Sequence, residues 1–165
     1  MCKSNFLVAA LAFGISALPD LAEAKNVYLT HFVDRNASAC YIRQYDKAHL
    51  AKHPDQLVTS VSMSISPINE GGTTPTLNLF ITFRGSNSVY QGVGICKFAG
   101  DDLTCGVEGD GGSFTLSAKS DTSLLLTVGL GGMGFEGDRD YREISGTKGD
   151  DRSFVIPSAP SRYCN

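Results

Sequence analysis

From Gln56 onward, apolar and polar side chains alternate with a period of two. Leu57, Thr59, Val61, Met63 and Ile65 share one phase, Gln56, Ser60, Ser62 and Ser64 the other, with Val58 the apolar exception. Leu77, Leu79, Ile81 and Phe83 likewise alternate with Thr76, Asn78, Phe80 and Thr82. That spacing predicts half-buried β-strands, because successive side chains on a strand point to opposite faces. Residues 88–98 and 102–108 read as a hairpin, and Phe114, Leu116 and Ala118 mark the next strand. Residues 124–128 form a buried run, and strands over 139–145 and 152–157 complete a series of eight. Ahead of them, residues 26–33 alternate enough for one short strand, and 34–39 are polar and turn-like. The single helix signal is 46–53, where Asp46 can cap the first turn and Pro54 stops the last.

Every connection in the series is short and rich in Gly, Asp, Asn or Ser. Consecutive hairpins without a long crossover predict an all-β fold. The expected form is an eight-stranded up-and-down antiparallel barrel with one short N-terminal helix. Closure also removes exposed strand edges. A β-sandwich is the alternative. Eight strands enclose just enough space to be filled by side chains or to hold one small ligand. The inward residues are mostly Leu, Ile, Val and Phe, which favours filling.

Residues 1–24 have the layout of a secretory signal. Lys3 supplies a weak positive start, 6–18 an uncharged and mostly apolar run, and Ala22-Glu23-Ala24 a small-x-small cleavage site. The apolar run is too short to span a bilayer. Residues 25–165 then make one disulfide-stapled domain, periplasmic or secreted, with Cys40, Cys96, Cys105 and Cys164. Gly100-Asp101 suits a two-residue hairpin turn, which places Cys96 opposite Cys105 at bridging distance. Cys40–Cys164 follows by elimination.

Composition narrows the function classes. With 42% hydrophobic and 19% charged residues the chain is not disordered. Fourteen Lys and Arg stand against 17 Asp and Glu, and no like-charge cluster exists to neutralise phosphates, so nucleic acid is not an expected partner. Gly129-Leu130-Gly131-Gly132-Met133-Gly134 matches G-x-G-x-x-G. Phe135-Glu136-Gly137-Asp138-Arg139 does not open a helix, however, so a pyrophosphate would find no helix N-terminus. No cofactor is expected. Asp46, His49 and His53 share a helix face and are the candidate metal ligands, but capping and packing explain them as well. The acidic turns could attract calcium, although Asp and Gly are also what tight turns require. No G-x-S-x-G elbow is present, His31 lies in a strand, and Asp138 and Asp140 sit on a turn; catalysis is not expected.

In such a barrel successive turns alternate between the two ends. One end collects Gly85-Ser86-Asn87, Gly109-Asp110-Gly111 and a Gly-rich loop over 130–138. The other collects 67–75, Gly100-Asp101, Ser120-Asp121 and 148–150. The 130–138 loop is longer than a hairpin needs, which points to function. Met133 and Phe135 are its expected contact centre, with Arg84, Glu108, Asp110 and Glu136 in a charged rim whose acidic excess favours a cationic partner.

The segment Cys40-Tyr41-x-x-x-Tyr45-Asp46-x-x-His49-Leu50-x-x-His53-Pro54 resembles one found in small uncharacterised secreted bacterial proteins. The likeness extends to Asp110-Gly111-Gly112-Ser113-Phe114 and Asp150-Asp151-Arg152-Ser153-Phe154 and implies no activity. In size, disulfides and strand count the chain is also similar to periplasmic lysozyme inhibitors and other calycin-like barrels. The expected function is thus a secreted, non-enzymatic binding protein. Its loops at one barrel end would engage a protein or glycan, in the manner of a hydrolase inhibitor. The alternatives are a carrier with a small ligand inside the barrel and a periplasmic hydrolase.

Overall fold

The computed structural model describes residues 39–66 and 75–164. The signal at 1–24, the strand expected at 26–33 and most of the turn expected at 67–75 lie outside the described residues. Among the described residues nine strands form: β1 (Ala39–Gln44), β2 (Val58–Ser66), β3 (Thr76–Phe83), β4 (Val89–Ala99), β5 (Asp102–Val107), β6 (Gly112–Ser120), β7 (Ser123–Glu136), β8 (Tyr141–Ile144) and β9 (Ser153–Ala159). Helix α1 (Lys47–Lys52) links β1 to β2, and a 3-10 turn (Ser161–Tyr163) follows β9.

Strands β1 to β7 pair antiparallel in sequence order, β9 pairs with β7, and β9 closes onto β1 through Cys40↔Ala159 and Tyr41↔Ser158. The result is a closed eight-stranded antiparallel barrel with β8 outside the ring. Both disulfides are present. Cys96–Cys105 ties β4 to β5 with Cα atoms 4.0 Å apart, and Cys40–Cys164 ties β1 to the C-terminal turn at 5.7 Å. Cys96 and Cys105 face each other in the register that a Gly100-Asp101 turn dictates, and Gly100 adopts a positive φ of 64°.

The ring membership differs from the sequence expectation. The strand expected at 139–145 shrinks to β8 and leaves the ring, and its place is taken by β1, whose one large inward side chain is the fully buried Tyr41. Because β8 does not cross the barrel, the 148–150 turn stays at the α1 end rather than the opposite one. There His53 Nδ1 lies 3.5 Å from Asp150 Oδ2, and Asp151 accepts the Leu57 amide at 2.6 Å.

The 130–138 loop is a second correction, because most of it is strand. On β6, Phe114 pairs with Val128 and Gly112 pairs with Met133, so β7 carries three surplus residues in that interval. An odd surplus reverses the inward phase. Leu124, Leu126 and Val128 point inward before the irregularity, Met133 and Phe135 after it. Glycine permits the turn: Gly132 has φ 86° and Gly112 φ 83°, and a Cβ on Gly112 would collide with the Gly132 carbonyl.

The barrel's inner face is filled by complementary large and absent side chains. Tyr41, Met63, Tyr90, Phe114 and Phe135 are fully buried among Leu and Ile. On β4, Gly92 and Gly94 stand where a Cβ would come within 3.1 Å of the Phe135 ring and 2.9 Å of the Phe114 ring. Two rings thus occupy space that two inward side chains vacate.

Candidate functional site

The α1 end carries most of the polar chemistry, and much of it holds the fold. Asp46 caps α1, accepting the His49 amide at 2.7 Å. His49 Nε2 pairs with Gln56 Oε1 at 2.9 Å, and the His49 and His53 rings stack at 4.4 Å. Tyr45 lies 4.7 Å from His49, and the Arg43 guanidinium sits 5.1 Å from the Tyr45 ring centre, which completes a column. Burial pushes the Tyr45 phenol up from its ordinary value, with Arg43 opposing. Asp46, His49 and His53 therefore each have a structural partner. Among the described residues, no three His, Cys, Asp or Glu side chains gather as a metal site.

Arg84, expected on the rim, instead reaches back under the helix. Its Nη2 donates to the carbonyls of Leu50 (3.0 Å) and His53 (3.1 Å), and its Nε to that of Gln56 (3.1 Å). Leu50 and His53 belong to the last turn and cap of α1, where carbonyls lack intrahelical partners, and Gln56 lies in the linker to β2. At the barrel mouth Tyr90 donates its hydroxyl to Asp140 (2.9 Å), which also accepts from Arg142 Nε (3.0 Å). This anchors the β7–β8 turn to the interior and leaves Asp140 engaged.

Met133 and Phe135 are each 1% exposed, so the expectation that they form a contact surface is corrected: both are core. The exposed apolar residue of that segment is Leu130, 85% accessible at the tip of the β7 irregularity. Asp110 holds a positive φ of 61° in the β5–β6 turn and borders a cleft of about 320 Å³ with Leu130, Tyr141 and Glu143. Glu136 is exposed and belongs to a different arrangement.

That arrangement is a row across four strands on the barrel's outer face. Phe80 of β3 faces Gln91 of β4, Gln91 faces Glu136 of β7, and Glu136 faces Tyr141 of β8. Directly opposed side chains on one face of a sheet are neighbours. The row runs along two adjoining clefts of about 400 and 710 Å³, both bordered by Phe80, Gln91 and Glu136. Tyr141, half exposed, lies with its hydroxyl end over Gly134, in the space a Cβ there would claim. Phe80, Gln91 and Tyr141 were not picked out as site residues from the sequence. The available signal was Phe80 itself, an aromatic in the otherwise polar phase Thr76, Asn78, Thr82.

Comparison with family models, curated proteins and solved structures finds no match to this chain.

Proposed function

We propose that the protein is an exported, non-enzymatic binding protein that engages its partner on the outer surface near the α1 end. The observation that carries this reading is where large side chains lie. Inside the barrel, Phe135 and Phe114 occupy the room left by Gly92 and Gly94, which argues against a carrier of internal ligand. Outside, Phe80 and Tyr141 flank open clefts. Two disulfides fit an oxidising compartment. Among the described residues no helix is long and apolar enough to cross a membrane.

The histidines of α1 are stacked and paired, and Asp140 is tied to Tyr90 and Arg142, so the groups that would serve a hydrolase already have structural work. The test is differential capture. Immobilised protein, residues 25–165, is exposed to periplasmic and host extracts beside a Tyr141→Ala variant of equal thermal stability. A component retained by the native chain and lost with the variant is expected. Retention indifferent to the outer surface, or a small apolar molecule released only when the native protein is denatured, would refute the reading.

A further inference from the structure

We propose that the Phe80–Gln91–Glu136–Tyr141 row is a glycan site for a chain of pyranose residues bearing free amino groups. The inference rests on the binding-protein reading above and names its ligand class. With neighbouring strands about 4.8 Å apart, the row's two aromatic ends stand roughly 14 Å apart, the reach of a short oligosaccharide. A pyranose ring has an apolar face of C–H bonds that stacks on the electron-rich face of an aromatic ring. Its hydroxyls, in contrast, need donors and acceptors together. Gln91 offers both from one amide, and Glu136 accepts from a hydroxyl or, more strongly, from an ammonium.

The order of groups discriminates between partners. A protein interface centres on desolvated apolar anchors within a polar rim. Here the order is inverted, with amide and carboxylate at the centre and aromatics at the ends. Charge then selects among glycans. Glu108 and Glu136 border the 400 Å³ cleft, and Glu136 and Asp138 border the 710 Å³ cleft beside Arg139, so carboxylates outnumber cations along the row by three to one. Carboxylated or sulfated sugars would be repelled, whereas an ammonium would meet a carboxylate with an aromatic ring beside it. The platform is also preset. Tyr141 leans across β7 onto Gly134, the one residue type that leaves the space, so ligand binding need not order that side chain.

The experiment is calorimetric titration of the disulfide-intact protein at low salt. The probes are a glucosamine oligomer, its fully N-acetylated counterpart and an oligo-arginine peptide. Binding of the amine-bearing oligomer is expected, weakened by about tenfold or more on acetylation and in Tyr141→Ala and Glu136→Gln. Gly134→Ala, which displaces the ring without deleting any of its groups, should weaken it as well. Unfolding midpoints of all three variants guard against a folding defect. Equal affinity for the acetylated oligomer, or tighter binding of oligo-arginine, would overturn the ligand class. If neither sugar binds while Tyr141→Ala still abolishes capture of an extract protein, the glycan assignment falls and the binding-protein reading survives. Should capture fail too, both fall.

Discussion

Asp151 offers the sharpest test of how the α1 end is held together. Its side chain is 4% exposed and accepts the amide of Leu57 at 2.6 Å and that of Val58 at 3.2 Å. Val58 opens β2 and Leu57 precedes it, so one carboxylate closes the wall between the 145–152 segment and the second strand. In Asp151→Ala both amides lose their acceptor. Val58 is fully buried, and an unsatisfied amide there costs about 1–3 kcal/mol. Leu57 is half exposed, water can replace the lost bond, and the cost is roughly 0.5 kcal/mol. Release of a buried carboxylate offsets part of this, for a net loss of about 2 kcal/mol at neutral pH. Asp151→Asn keeps an acceptor and should lie within about 1 kcal/mol of the native protein. Burial pushes the Asp151 carboxyl up from its ordinary value, with the Leu57 and Val58 amides opposing. The folded chain thus holds this proton more tightly than the unfolded chain. Its contribution to stability is complete below the unfolded pKa and is lost as pH rises through the raised folded pKa. Urea unfolding from acid to neutral pH should show that loss in the native protein and a flatter profile in Asp151→Asn. Amide exchange at Val58 should accelerate in Asp151→Ala. Unchanged stability and unchanged Val58 protection in the alanine variant would refute the account.

Removing the Cys40–Cys164 bridge, which closes a sequence separation of 124 residues, should lower stability by roughly 4–5 kcal/mol on chain entropy, measured by urea unfolding of the paired Ser variant. Phe135→Ala should cost roughly 3–5 kcal/mol, because the ring fills space beside Gly92, and a loss under 1 kcal/mol would mean that the side chain is not core. Arg84→Ala should expose the α1 amides to faster exchange at a cost of about 1–2 kcal/mol. Arg84→Lys should recover only part of it, since an ammonium cannot span the Leu50, His53 and Gln56 carbonyls as the guanidinium fork does.

The barrel was legible in the sequence wherever a strand buries one face and wets the other. Leu77 to Phe83 shows this, and the burial of β3 alternates along its whole length. Two places escaped for physical reasons. In β1 only Tyr41 carries a large inward side chain past Cys40, and Arg43 and Tyr45 are drawn into the stacked column instead, so the strand leaves little alternation to read. In β7 the alternation is present on both sides of Gly129–Gly132 but in opposite phase. A pattern that reverses across four residues, three of them glycine, reads as a loop, because period-two reasoning assumes a fixed phase. The pairings of β7 with β6, β8 and β4 beyond the glycines show that the strand continues.

The same reversal explains why Met133 and Phe135 read as a contact surface although both are buried. Read as loop, Met133 and Phe135 are apolar residues with no core position, and a contact surface is the natural conclusion. Read as strand after a phase change, they point inward, and what faces out between them and beyond is Gly134 and Glu136. The bareness of Gly134 gives Tyr141 its resting place, and Glu136 becomes the hinge of the row by pairing with Gln91 on one side and Tyr141 on the other. The contact with Tyr141 is made across the β7–β8 turn, but that with Gln91 is not local: Gln91 and Glu136 meet because β7 passes the end of the β5–β6 hairpin and reaches β4. Of the rim expected from sequence, Glu136 thus keeps a place beside the clefts for a reason the sequence pattern did not contain. Arg84 leaves it, because its guanidinium donates to the Leu50 and His53 carbonyls at the end of α1 and to the Gln56 carbonyl in the linker that follows.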